Sequence, residues 1–166
     1  FSEMSVLDNV MVGGHHRTKS DYFSNALGLP WARREDRKLK EEVMELIDYL
    51  ELNDVMDTEA GSLPFGTQKR IELARALASR PKLLLLDEPA GGLNHDEVEE
   101  LVAFIHKMRD EKDLTILLVE HHMNLVMQVS DQVAVLNFGT KIADDIPEKI
   151  QQNPEVIKAY LGTESS

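Results

Sequence analysis

Two adjacent carboxylates, Asp87 and Glu88, follow directly on the apolar run Leu83-Leu84-Leu85-Leu86. In open α/β sheets, ligands bind outside the carboxyl ends of the strands, so a strand over Leu83–Leu86 delivers both acids to such a crevice. One carboxylate of such a pair can hold Mg²⁺ while the other polarises an attacking water, the division of labour that phosphoryl transfer needs. Adjacent acids before a proline are also ordinary turn residues in solvent. The pair alone is suggestive, and its neighbours decide.

Two other segments bear on it. Leu63-Pro64-Phe65-Gly66-Thr67-Gln68-Lys69-Arg70 opens a helix about twenty residues earlier. Amides at a helix start are unpaired and carry the positive end of the dipole, and Gly66 lets a phosphate come close to them. Glu120-His121-His122 follows the apolar run Thr115–Val119. A histidine there faces the same end of a sheet as Asp87 and Glu88, where it can bond a phosphate oxygen or the attacking water. A turn glycine and a surface histidine are the plainer readings of these two segments taken singly. His15-His16 and His121-His122 also raise a metal site, but adjacent histidines in extended chain point apart, and neither pair has a third ligand at metal-site spacing.

The elements that must position these residues follow from periodicity. Residues 1 to 62 read as helical. The clearest helix runs from Arg33 to Leu52, with Leu39, Val43, Leu46 and Leu50 on one face, after a break at Gly28 and Pro30. Gly13 to Ser20 reads as an exposed loop, and the basic cluster Arg33, Arg34, Arg37, Lys38 and Lys40, interleaved with acids, as a solvated helix face. From Gly66 onward short helices alternate with strands, the mark of an α/β layer. Thr67–Ser79 is a helix, and Leu83–Leu86 and Thr115–Val119 are strands buried on both faces of a parallel sheet. Asn94 caps a helix over His95–Asp110 that buries Val98, Leu101, Val102, Ile105 and Met108. A helix over Met123–Val129 leads to strands Gln132–Leu136 and Thr140–Asp144, joined at Asn137-Phe138-Gly139, and a last helix over Glu155–Leu161 stops at Gly162.

Bulk composition narrows the classes. A formal charge of -12 argues against a broad surface for nucleic acid or anionic lipid, both polyanions. The absence of cysteine excludes disulfides and thiolate metal sites. No apolar run exceeds five residues, Leu101 to Ile105, far short of the ~18 needed to span a bilayer, which predicts a soluble chain without membrane insertion. The chain opens on Phe1 without signal-peptide character, so a fragment of a longer polypeptide is expected.

In order and spacing these segments together resemble the ABC-type ATPase domain over essentially the whole chain. Leu63 to Gln68 resembles its signature motif, Leu83 to Glu88 Walker B, Ala90 to Asn94 the D-loop, and His121 the switch histidine. Within that family, Met4 to Val10, Ala90 to Asn94 and Asn153 to Gly162 are similar to the ATP-binding subunits of branched-chain amino acid transporters.

The resemblance implies an α/β, P-loop NTPase-like partial core with parallel strands (63–166) and an α-helical subdomain (1–62) whose surface meets a membrane permease. It implies ATP and Mg²⁺ as ligands, with Asp87 holding Mg²⁺ through water, Glu88 polarising the nucleophilic water and His121 contacting the γ-phosphate. Leu63, Pro64, Phe65, Gly66, Thr67, Gln68 and Asn94 would meet nucleotide, the first six of them on the other subunit of a homo- or heterodimer at the cytoplasmic face of the membrane. The family's P-loop strand would lie between Thr115–Val119 and Gln132–Leu136.

This sequence departs from the family at Pro64, where serine is usual, and at Phe65, where glycine is common. It contains no Gly-x-x-x-x-Gly-Lys-Ser/Thr motif and no Q-loop glutamine, so the chain alone is expected to be inactive. Competing readings are an ATPase of a lipid or lipopolysaccharide exporter, a non-transport ABC protein on DNA or ribosomes, and a non-catalytic interaction module. Retained Glu88 speaks against the last for the parent protein, though not for the fragment. The missing coiled coil, second ABC unit and basic surface speak against the DNA or ribosome reading.

Overall fold

The computed structural model describes residues 1–17, 30–112 and 114–163. Its elements run α1 (Val6–Gly14), α2 (Pro30–Tyr49), α3 (Phe65–Ala78), β1 (Leu83–Asp87), α4 (His95–Lys112), β2 (Thr115–Val119), α5 (Met123–Val129), β3 (Val133–Asn137), β4 (Thr140–Asp145), α6 (Pro147–Gln152) and α7 (Pro154–Thr163). They form two compact units, Phe1–Leu84 with Lys112–Leu117, and Leu85–Glu111 with Leu118–Ser166. The architecture is α/β.

In the first unit α1 packs on both α2 and α3. Ser5 caps α1, its Oγ accepting the Asp8 N–H at 3.0 Å, and Val6 and Val10 are fully buried. Gly13 and Gly14 end this helix instead of opening a loop. A Cβ on Gly13 would run into the Arg75 carbonyl oxygen and one on Gly14 into the Leu39 side chain, so the two glycines permit the close helix crossing. His15–Arg17 adds one 3₁₀ turn, and the rest of the expected loop lies outside the described residues. Asn9 is buried, and its Nδ2 donates to the carbonyls of Phe1 (2.8 Å), Met4 (3.3 Å) and Ser5 (3.0 Å).

The long helix is shifted from its expected bounds. It starts at Pro30, a first-turn position at which a missing N–H costs nothing, so this proline opens the helix instead of breaking the chain before it. It ends three residues early because Glu51 turns left-handed (φ 56°). There the Leu52 N–H reaches the Ile47 carbonyl (2.8 Å) and the Glu51 N–H that of Asp48 (3.0 Å), the bond pattern of a Schellman ending. Leu50 and Leu52 are still buried, now from beyond the helix. The apolar stripe therefore continued past the helix and misplaced its end. The basic cluster at Arg33, Arg34, Arg37, Lys38 and Lys40 is solvent-exposed, as expected.

Helix α3 starts at Phe65, two residues before its expected start, and buries Ile71, Leu73, Ala74, Leu77 and Ala78. Arg80, left-handed at φ 51°, closes it ahead of Pro81. Glu42 on α2 pairs with two arginines, Arg17 at 2.8 Å and Arg80 at 2.7 Å.

Strands β1 and β2 pair in parallel: the Thr115 N–H donates to the Lys82 carbonyl (3.1 Å) at one end and the Glu88 N–H to the Val119 carbonyl (2.9 Å) at the other. They are not buried on both faces. β1 buries Leu84 but leaves Leu83 and Leu85 exposed, and β2 leaves Leu117 and Val119 exposed, because no described element of the chain covers that side of either strand. In the second unit α4 buries Val98, Leu101, Val102, Phe104, Ile105 and Met108. Its start is a capping box: Asn94 Oδ1 accepts the Glu97 N–H (3.0 Å) while Glu97 Oε2 accepts the Asn94 N–H (2.9 Å).

Strands β3 and β4 form a separate antiparallel pair in which Asn137 faces Thr140, leaving Phe138 (φ 46°) and Gly139 (φ 79°) as a two-residue turn of the type that suits hairpin twist. Val133 packs with Ile150 of α6 and Val156 of α7 in one cluster, and α7 runs to Thr163, past the expected stop at Gly162.

Candidate functional site

Asp87 is the last residue of β1, and Glu88 the first beyond it. Glu88 leaves the strand with a left-handed backbone, φ 44°, uncommon for a residue with a side chain. Two main-chain bonds fix it there. Its N–H is held by the Val119 carbonyl on β2, and its carbonyl accepts the Gly91 N–H at 3.0 Å to close a turn. A second turn, from the Leu93 N–H to the Ala90 carbonyl (3.1 Å), carries the chain to the Asn94 cap of α4.

At the matching end of β2, His121 Nδ1 stands 3.5 Å from Glu88 Oε1, with both side chains largely in solvent. The structure thus brings this histidine to Glu88. Beside them lies a residue whose part in the site sequence reasoning missed. Glu120 is only 1% exposed at its side chain. Its Oε1 accepts the Ala90 N–H at 2.9 Å, and its Oε2 accepts those of His121 (2.9 Å) and His122 (3.1 Å). Burial alone would raise this carboxyl's pKa. The amides of Ala90, His122 and His121 outweigh that and, with the His121 ring, hold it below the ordinary carboxylate value. The available signal was an acid ending an apolar strand, as Asp87 does, but its burial is invisible in one dimension.

The segment Leu63–Gln68 belongs to the first unit. Pro64 sits at the N-cap of α3 with no side-chain cap, so Gly66 and Thr67 lie in the first turn, where amides lack helical partners. Gln68 is committed locally: its N–H donates to the Pro64 carbonyl (3.0 Å) and its Nε2 to the Leu63 carbonyl (2.8 Å). Phe65 is half-exposed beneath Lys69, whose Nζ lies 5.3 Å from the ring centre. Asn94, expected at the nucleotide, spends its Oδ1 and N–H on the capping box.

Among the described residues no group of three or more His, Cys, Asp or Glu could hold a metal ion, and no helix is long and apolar enough to cross a membrane. A divalent cation at Asp87 would therefore need ligands from a substrate and water. That suits Mg²⁺, which keeps several waters and takes one or two carboxylates.

Known proteins match this chain along its length. A family model described as ABC transporter matches residues 1–91, and one described as branched-chain amino acid ATP-binding cassette transporter matches 140–165. The high-affinity branched-chain amino acid transport ATP-binding protein BraF of Pseudomonas aeruginosa is 41% identical over 162 residues, covering 98% of this chain and 64% of that protein. LivG of Escherichia coli, with the same description, is also 41% identical with the same coverage. Among solved structures, the ADP conformation of MJ1267, an ATP-binding cassette of an ABC transporter, superposes with a TM-score of 0.78 at 27% identity, covering 97% of this chain and 64% of that one. The chain thus spans about two thirds of the length of each, 64%.

Proposed function

Because the chain belongs to the ABC transporter family, we propose that it serves in an ATP-binding subunit that hydrolyses ATP to drive import of branched-chain amino acids. The observation that carries this is the placement of Glu88 and His121, 3.5 Å apart, at the carboxyl ends of two paired parallel strands. The transported class is inferred from relatives named as branched-chain amino acid transport proteins and from the match at residues 140–165.

In this reading Glu88 orients and polarises the attacking water, and its exposure leaves room for that water and for a phosphate. His121 donates to a γ-phosphate oxygen and, through its contact with Glu88, fixes where the carboxylate points. Asp87 would hold Mg²⁺, which when bound would supply charge neutralisation at the phosphates. Leu63–Gln68 offers the first-turn amides of Gly66 and Thr67 to a nucleotide held by a second subunit, with Asn94 stiffening the loop between the acids and α4. Residues 1–62 act as the permease-facing helical subdomain, and 63–166 as part of the catalytic core. Such a subunit works as a dimer beneath membrane permease subunits, at the cytoplasmic face. The charge of -12 fits a partner other than nucleic acid.

The test uses the full-length protein reconstituted in proteoliposomes with the membrane subunits that co-purify with it. ATP-dependent uptake of labelled leucine is expected, with His121→Ala lowering phosphate release at least ~10²-fold, in the range of a lost acid–base or phosphate contact. Phosphate release unaffected by His121→Ala contradicts the site; robust ATP turnover with uptake of an unrelated solute contradicts the transported class.

A further inference from the structure

Glu120 is an acid in an unusual position: its side chain is almost wholly buried, has no lysine or arginine partner among the described residues, and spends both oxygens on main-chain amides. Those amides come from two different loops. One is Ala90, which begins the loop from the acid pair to α4. The others are His121 and His122, which begin the loop after β2. We propose that Glu120 is a positioning residue that ties the Ala90–Asn94 loop to the His121 turn, so that displacement of one loop is felt by the other. The inference rests on the functional reading above for its effect on catalysis, but the tie is a property of the chain's own geometry.

The physical case lies in the count of acceptors. A carboxylate can take three N–H donors at once because both oxygens accept. Ala90 has no polar side chain of its own to hold its loop, and its N–H is committed to Glu120 Oε1 at 2.9 Å. Without the carboxylate that buried donor loses its partner, at the cost of an unmade bond. Tethering Oε2 to both His121 and His122 sets the main-chain direction at His121, and with it the place of the imidazole 3.5 Å from Glu88. Glu88 is in turn joined to the first loop by its carbonyl bond to Gly91. The two loops and the acid thus form a closed circuit of bonds with Glu120 as its buried member.

Replacement by glutamine separates this role from bulk. The amide has one acceptor oxygen. Directed at His121 and His122, it keeps two bonds and turns its NH₂ toward the Ala90 N–H, where two donors face each other. Glu120→Gln is therefore expected to release the Ala90 loop while keeping the His121 turn.

The experiment combines amide hydrogen exchange and ATP turnover in the full-length protein. In the wild type, Ala90, His121 and His122 amides should exchange within a few-fold of one another, since one carboxylate releases all three; rates differing by more than tenfold overturn the tie without any variant. In Glu120→Gln, Ala90 exchange should rise at least tenfold with His121 little changed. The variant's kcat should fall about tenfold or more while KM for ATP stays within twofold, and Glu120→Asp should recover part of it. A folded Glu120→Gln with unchanged Ala90 exchange overturns the proposal, as does a joint loss of kcat and KM that tracks lost thermal stability. If Glu88→Gln leaves turnover intact, the catalytic reading fails, and the exchange result still decides the tie.

Discussion

The Nδ1 atom of His121 lies 3.5 Å from Glu88 Oε1, and Glu88 reaches that position with a left-handed backbone at φ 44°. A side chain in this conformation costs on the order of 1 kcal/mol, and such strain is retained where function requires the side chain. Glu88→Gly should therefore raise the thermal midpoint of the full-length protein by roughly 2–4 °C, about 1 kcal/mol for a domain of this size, while abolishing ATP turnover. A lower midpoint would show that the Glu88 side chain stabilises the turn more than its backbone strains it.

Asn9 ties the start of the chain to α1 through three carbonyls, and its Oδ1 accepts from Arg75 at 3.3 Å. Truncation removes four hydrogen bonds and empties a buried space, although the carbonyls of Phe1, Met4 and Ser5 each keep a main-chain donor, from Met4, Ala60 and Asn9. Asn9→Ala should cost about 2–3 kcal/mol, seen as a thermal midpoint lower by roughly 4–10 °C. A loss below about 0.5 kcal/mol would mean that water replaces the amide at little cost.

The depressed pKa of Glu120 makes stability depend on acid. With a folded pKa below the unfolded value of about 4.3, the unfolded state binds more protons in the interval between them. The contribution is present above about pH 4.3 and is lost as pH falls through the lower folded value. Urea midpoints measured downward from pH 5 should fall more steeply for wild type than for Glu120→Gln. Parallel slopes would place the titration elsewhere.

Much of the chain after β1 was legible in the sequence. Thr115–Val119 and Met123–Val129 have the bounds that pattern alone predicts, and the apolar stripe of α4 is buried residue for residue. Local chemistry set these elements: a capping Asn94, a Gly139 turn, a clean period. The misses share a different cause. Glu51 takes the left-handed position usually given to glycine, so the end of α2 carried no mark. Gly13 and Gly14 read as loop because their use, a close crossing against Arg75 and Leu39, is long-range. Continuous leucines in β1 read as two buried faces, although one lies open in this chain. For the site, Glu88 and His121 could be placed from strand ends, whereas Glu120 needed its burial and partners to be seen.

That open face has a consequence for the 166-residue chain by itself. Leu85 is 65% exposed, Leu117 56% and Val119 58%, an apolar load on paired strands that favours association. Light scattering should find oligomers, and Leu85→Lys with Leu117→Lys should shift them toward monomer. Titration with MgATP should show no micromolar binding, because the sequence has no Gly-x-x-x-x-Gly-Lys-Ser/Thr loop to cradle phosphates. A monomer that binds ATP at micromolar concentration would overturn this.

The most direct measurement on the central claim is made on Glu88→Gln in the full-length protein, by ATP turnover and by size-exclusion chromatography with MgATP. Glutamine keeps the shape and loses the base. If Glu88 polarises the attacking water, turnover falls at least ~10²-fold, ATP still binds, and the protein accumulates as an ATP-bound dimer. Turnover near wild type, or monomer alone in MgATP, contradicts the account.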